Sequence, residues 1–334
     1  MQETEDAHII NIIQSPDFIL PWLDRFYESD EINLLLNCLP TYETDIIFRE
    51  HHHLNSTACE RLFQRGIFKK RAAGAVVPAD FHSRYDIWAL FEGFKDIPEN
   101  IRTKLNQWEF DAYVRRNRND IETIRRTGKL DPYKKQPRYL LLNEAFEILA
   151  QAEHIYQWPC NCRSMMQRCN KPVYNCIRFD NSQGQGYEIS GERAAEIIRQ
   201  ANKKGLVQSG ELALNEKGKL SGAICNCCTD CCFPHLMAQE LNAQKIWPQS
   251  RWVAQWIQSS CSFCGRCAIR CPFDAFRYDK SIDNKHERLA YEQSSCRGCG
   301  LCEVTCPEKA IEMKKTAPIS LETVSNISVT KEKI

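Results

Sequence analysis

Ile32, Leu35, Leu36 and Leu39 fall at the i, i+3, i+4, i+7 spacing of one helical face, and Pro40 closes the run. Residues 44–49 predict a second short helix. Asn55, Ser56 and Thr57 offer caps for a third, with Cys59, Leu62 and Phe63 on its inner face and Gly66 as its stop. The apolar pairs at 67–68 and 76–77 and the run 85–88 then read as a small β-hairpin. Farther on, a helix capped by Asn143 presents Ala145, Ile148, Leu149 and Ala152 on one face. Another begins at Ser190, turns Ala194, Ile197, Ile198 and Ala201 inward and ends at Gly205. Trp252 and Trp256, at i, i+4, predict with Trp247 a helical packing stripe. After about Lys314 the chain is polar and lacks aromatics, which predicts a surface tail.

Helix, helix, helix and hairpin is an element order that resembles a winged-helix domain. The expected class is therefore α+β, in four parts. These are a helical winged-helix-like domain (1–113), a basic linker with a Cys-rich α/β middle domain (114–245), a C-terminal domain (246–314) and a tail (315–334). Arg115, Arg116, Arg118, Arg125, Arg126, Lys134, Lys135 and Arg138 make the linker basic. It reads either as a solvated loop or as a docking surface for an acidic redox partner.

The net charge of +1 gives no global field to attract nucleic acid or membrane. The N-terminus has neither a basic n-region nor a small-residue cleavage site. The apolar runs fall short of the roughly 20 residues that cross a bilayer. A soluble, cytoplasmic protein is expected. His51, His52 and His53 read as a solvated face, lone Cys38 and Cys59 as packing, and Gly184-x-Gly186 as a poor phosphate loop because no strand leads into it.

Cysteine changes the picture. Of 19 Cys, 17 lie between Cys160 and Cys306, in tight groups. A secreted disulfide framework needs an export signal and usually a much shorter chain; a reduced metal protein needs clustered thiolates. The clustering favours metal.

Cys261-x-x-Cys264-x-x-Cys267-x-x-x-Cys271-Pro272 recurs as Cys296-x-x-Cys299-x-x-Cys302-x-x-x-Cys306-Pro307, with a period of 35 residues. Gly265 pairs with Gly300, Ala275 with Ala310 and Phe276 with Ile311. A cubane offers four iron corners, each wanting one thiolate, and three close Cys wrap a loop around three of them. The fourth Cys lies beyond a turn and points to the other cluster. Cys261, Cys264, Cys267 and Cys306 are thus expected to hold one [4Fe–4S] cluster, and Cys296, Cys299, Cys302 and Cys271 the other. Zinc also takes four Cys, but favours two pairs separated by a longer loop. The double run resembles the bacterial two-cluster ferredoxins.

Nine more Cys lie upstream: Cys160, Cys162, Cys169, Cys176, Cys225, Cys227, Cys228, Cys231 and Cys232. Thiols this dense predict one or two further iron–sulfur clusters, with zinc as the alternative. Their partition is open: two cubanes with one Cys spare, or one unusual cluster. Arg163 is a candidate cation beside an anionic cluster, or a structural ion-pair partner. The order Pro-Cys-x-Cys-Arg, Cys-x-x-Pro, lone Cys, Ser-capped helix, Cys-x-Cys-Cys-x-x-Cys-Cys, then two ferredoxin runs is similar to a group of bacterial and archaeal 4Fe–4S dicluster proteins. Thr229-Asp230 stands where relatives are expected to carry Gly. The resemblance implies a ferredoxin-type electron carrier or an oxidoreductase subunit serving a partner oxidoreductase or soluble carrier.

Two other function classes fit the residues. One is a redox-sensing winged-helix regulator, with Arg61, Arg65, Lys69, Lys70 and Arg71 facing DNA. The other is a catalytic iron–sulfur subunit whose middle cluster binds substrate.

Overall fold

In a computed structural model, residues 2–71, 74–93, 96–128, 136–181, 184–215 and 218–316 are described. Residues 317–334 of the polar tail and the cations Lys134 and Lys135 lie outside them, whereas Lys315 belongs to the last strand. Helix accounts for 46% of the residues and strand for 18%, a mixed α+β chain. It divides into two compact units: Met1–Ala112 with Ser164–Met166 and Asn181–Gln185, and Tyr113–Arg163 with Gln167–Asp180 and Gly186–Ile334. Among the described residues no helix is long and apolar enough to cross a membrane.

The first unit is mainly helical. Thr44 caps Asp45–His51 by accepting from the Ile47 N–H at 3.2 Å, and Asn55 caps Ser56–Gln64 by accepting from Ala58 at 2.8 Å. Gly66 then turns the chain at φ +71°. Strands β1 (Phe68–Lys70) and β2 (Val76–Pro78) pair antiparallel, Phe68 opposite Pro78. Residues 85–88 do not extend this hairpin. They belong to the helix Phe81–Ile87 and the wider turn Trp88–Glu92. Asp80 starts that helix, accepting from the Ser83 N–H at 2.9 Å. Phe81, Tyr85 and Trp88 are then spaced to bury one aromatic stripe against Phe26. A short run such as Tyr85-Asp86-Ile87-Trp88, with three apolar residues around one Asp, is ambiguous between strand and buried helix, and here the cap decides.

Residues 114–127, read from sequence as linker, are helical, within Glu99–Thr127. Val114, Ile121 and Ile124 are buried along it, a narrow stripe hidden among arginines.

The second unit holds a six-stranded antiparallel sheet of β3 (Arg138–Tyr139), β4 (Tyr156–Pro159), β5 (Tyr174–Arg178), β6 (Tyr187–Glu188), β7 (Val207–Leu214) and β8 (Leu220–Cys227), in the order β3-β7-β8-β5-β4-β6. The helices Leu142–Leu149 and Gly191–Lys203 share a core with it, through Ala145, Leu149, Ala194, Ile198, Ile177 and Ile224. Ser190 caps the second helix as expected, accepting from Arg193 at 3.2 Å. The first is started not by Asn143 but from Leu141, whose N–H donates to the Glu144 carboxylate at 2.9 Å.

The C-terminal part repeats itself in backbone as well as sequence. β9 (Trp252–Trp256), before the first Cys run, pairs antiparallel with β12 (Ile311–Lys315), after the second. β10 (Phe276–Tyr278), after the first run, pairs with β11 (Leu289–Tyr291), before the second. Trp252 and Trp256 are thus on a strand, not a helix; the two periods coincide at i, i+4, so tryptophan spacing alone cannot separate them. Positive φ recurs at the 35-residue period, at Phe263 and Gly298, Gly265 and Gly300, and Asp274 and Lys309.

Candidate metal centres

Each Cys run opens with a short turn, bends through two left-handed residues and enters a five-residue helix, Arg266–Arg270 or Leu301–Thr305. The fourth Cys follows that helix. Cys261, Cys264 and Cys267 line one cavity together with Cys306, Pro307 and Leu289. Cys296, Cys299 and Cys302 line another together with Cys271, Phe273 and Met313. Each cavity therefore takes three thiols from one run and the fourth from the other. All eight are free thiols.

The donor chemistry fits a cluster. Burial pushes the Cys267 and Cys299 thiols up to about 12 and raises Cys302 as well. Such thiols ionise readily only beside compensating positive charge, which bound iron supplies. Backbone N–H groups already point at sulfur: Phe263 to Cys261 at 3.3 Å, Ala254 to Cys296 at 3.4 Å and Ala310 to Cys306 at 3.2 Å. Hydrogen bonds of this kind tune the potential of a cluster. Cys264 is exposed, whereas Cys299 and Cys302 are buried, so the first cavity lies nearer solvent.

Strand alternation sets the middle thiols. Cys225 and Cys227 lie on one face of β8, and Asn226 on the other. Ile177 of β5 faces Ile224 of β8, so one residue along each strand stand Cys176 and Cys225. The Cys176 thiol is held well down by hydrogen bonds from Cys160 and Cys225, and Cys227 by those from Cys225 and Cys232. The donors Cys160, Cys225 and Cys232 are raised by the same bonds, and Cys162 hydrogen-bonds Cys232. Six of the nine thiols thus form one continuous chain. Ser209 Oγ adds a contact to Cys227 at 3.3 Å.

Cys169, Cys228 and Cys231 stand together as a second group, all three sulfurs within 4.8 Å of one another. Arg163 lies between the groups, 1% exposed. It donates to the carbonyls of Pro172 at 2.6 Å and Asn226 at 2.9 Å, and to Asn175 Oδ1 at 3.2 Å. It also hydrogen-bonds Cys228, and Cys160 and Cys176 add to its field. Its partners are thiols and carbonyls, the setting of a cation beside sulfur rather than of a surface ion pair. A buried polar ladder holds it: Asn202 donates to Gln208 at 2.7 Å, Gln208 to Asn226 at 2.9 Å, and Asn226 to the Asn175 carbonyl.

Sequence reading missed three residues. His235 is buried, and its Nδ1 lies 3.2 Å from the Cys228 carbonyl. Its ring stacks on Tyr139 with centroids 5.6 Å apart and meets the edge of Phe273 at 5.6 Å. Tyr139 packs with Cys299 and Phe273, and Phe273 lines the second cavity. The three rings thus join the middle thiols to the buried ferredoxin cavity. The only sequence signal was a His three residues past Cys232.

No curated protein matches the chain. Residues 260–310 match the family model described as the 4Fe-4S dicluster domain.

Proposed function

We propose that this protein relays electrons between a partner oxidoreductase or soluble carrier and its own middle Cys-rich region. Two [4Fe–4S] clusters would be held by the two crossed sets, Cys261, Cys264, Cys267 with Cys306 and Cys296, Cys299, Cys302 with Cys271. At least one further iron–sulfur cluster would sit among Cys160, Cys162, Cys176, Cys225, Cys227 and Cys232. Iron–sulfur clusters, when bound, store and release single electrons. The residues supply the rest. Exposed Cys264 marks the side where a partner can approach. The N–H groups of Phe263, Ala254 and Ala310 stabilise added negative charge on sulfur. Tyr139, His235 and Phe273 fill the gap toward the middle thiols and keep water out.

The observation that carries this reading is the continuity of the packed route, from the cavity around Cys299 through half-buried Phe273 and buried His235 to Cys227 and Cys228. A free-standing carrier needs no such connection. Anaerobic purification, iron and sulfide counting and EPR during reductive titration test it. About twelve or more Fe per chain supports the reading, and about eight would leave the middle region without a cluster and remove the relay.

A further inference from the structure

The middle thiols do not form one uniform pool. Cys169 Sγ lies 3.7 Å from Cys228 Sγ, and Cys231 Sγ lies 3.8 Å from Cys169 Sγ. A tetrahedral ion with metal–sulfur bonds of about 2.3 Å places its thiolates about 3.8 Å apart. A cubane inserts a layer of iron and inorganic sulfur between its thiolates, which sets them farther apart. The molecule supplies its own comparison: among the described residues no three of the eight ferredoxin-run thiols come within 4.8 Å of one another, although they line cavities four at a time.

Sequence and charge agree. Cys228-x-x-Cys231 with a distant third Cys is a spacing that zinc uses. Cys228 and Cys231 come from the turn after β8, and Cys169 from the loop after the helix Asn161–Met166. Three thiolates around a divalent ion leave one net negative charge, and the buried Arg163 guanidinium, hydrogen-bonded to Cys228, offsets it. Cys228 and Cys231 are buried while Cys169 is partly exposed, so the trio is reached from the Cys169 side.

We propose that Cys169, Cys228 and Cys231 form a separate site for a single thiophilic divalent cation such as Zn²⁺, with the fourth coordination position left to a ligand from outside the trio. A three-protein-ligand site of this kind is the open form of zinc site. It deepens the reading of the middle region given above, but it does not depend on the ferredoxin clusters being present.

The test uses the full chain, purified anaerobically, with Fe and Zn measured together after dialysis against a weak chelator. The expected result is one Zn per chain, lost in Cys169→Ala and in Cys231→Ser, with iron unchanged in both variants. If either variant folds poorly, Co²⁺ loaded into the wild-type chain supplies the second readout. It should give the intense visible bands of a tetrahedral thiolate site, shifted by added imidazole. Loss of about four Fe with Cys169→Ala would overturn the proposal by placing Cys169 on a cluster. Zinc removed by the weak chelator, or cobalt bands absent, would overturn it as well. Failure of the electron-relay reading appears elsewhere, as an iron count of about eight.

Discussion

Replacing Gly298 by Ala tests whether the second Cys loop has the geometry described. Gly298 sits at φ +70°, and a Cβ there would meet the Trp252 carbonyl oxygen at 2.1 Å. The left-handed conformation alone costs about 1–2 kcal/mol for a non-glycine residue. The steric part cannot be relieved by a rotamer, because the obstacle is backbone. Trp252 is held in register opposite Lys315, and Ser250 Oγ binds both the Trp252 carbonyl at 3.2 Å and the Arg297 carbonyl at 3.0 Å. Ordinary contact begins near 3.4 Å, so loop and strand must part by about 1.3 Å, an overpacking that costs a further ~1–3 kcal/mol. A total of roughly 2–5 kcal/mol falls on the turn between Cys296 and Cys299. Gly218→Ala is the control, since Gly218 has φ +71° but nothing within 4 Å of the added Cβ. Iron and sulfide are counted after anaerobic reconstitution, and stability is read from denaturant unfolding. Gly298→Ala should lose about four Fe, and Gly218→Ala none. Full iron and unchanged stability in Gly298→Ala would refute the loop geometry.

Three further outcomes follow from other sites. Burial opposes ionisation of Asp80, but Lys69 and the two hydrogen bonds from Ser83 outweigh it and hold the carboxyl at about 2. Its folded pKa is depressed, so its contribution is complete above the unfolded value of about 3.9 and drains away as pH falls toward 2. Asp80→Asn keeps the cap but removes the charge, and should flatten the stability profile between pH 2 and pH 5 by up to about 1 kcal/mol, measured by denaturant unfolding. Arg163→Met removes the buried cation from thiols and carbonyls. Unfolding free energy should fall by about 3–5 kcal/mol, and redox titration should show the nearest middle centre at a lower midpoint potential. His235→Phe keeps the ring stack but strips the partner from the Cys228 carbonyl, for about 1–3 kcal/mol. Iron content should be unchanged, whereas rapid-mixing spectroscopy should show slower electron equilibration between the C-terminal and middle centres.

What could be read from sequence was whatever repeats locally. The short helices after Thr44 and Asn55 follow from an apolar face and a cap within a few residues, and both caps are made. The crossed Cys sets follow from spacing plus the chemistry of a four-cornered cluster, and the two cavities are lined in that pattern. The helix Glu99–Thr127 was hidden because its buried stripe is narrow and its exposed face is dense in arginine. Residues 85–88 were misread because three apolar residues around Asp86 define no clear period until Asp80 is seen as the cap. The six-and-three division of the middle thiols depends on which strands of the sheet are neighbours. Cys176 meets Cys225 only because β5 lies beside β8, a pairing no local pattern encodes. Gly298 and Phe263 as matched left-handed residues were obscured because one is glycine and the other is not.

Anomalous diffraction at the iron edge, from crystals grown without oxygen, tests the central claim most directly. Two compact iron peaks are expected in the C-terminal part. One should be bonded by Cys261, Cys264, Cys267 and Cys306, and the other by Cys296, Cys299, Cys302 and Cys271. Peaks in which Cys306 joins Cys296, Cys299 and Cys302, or cavities free of iron and closed by disulfides, would contradict the account.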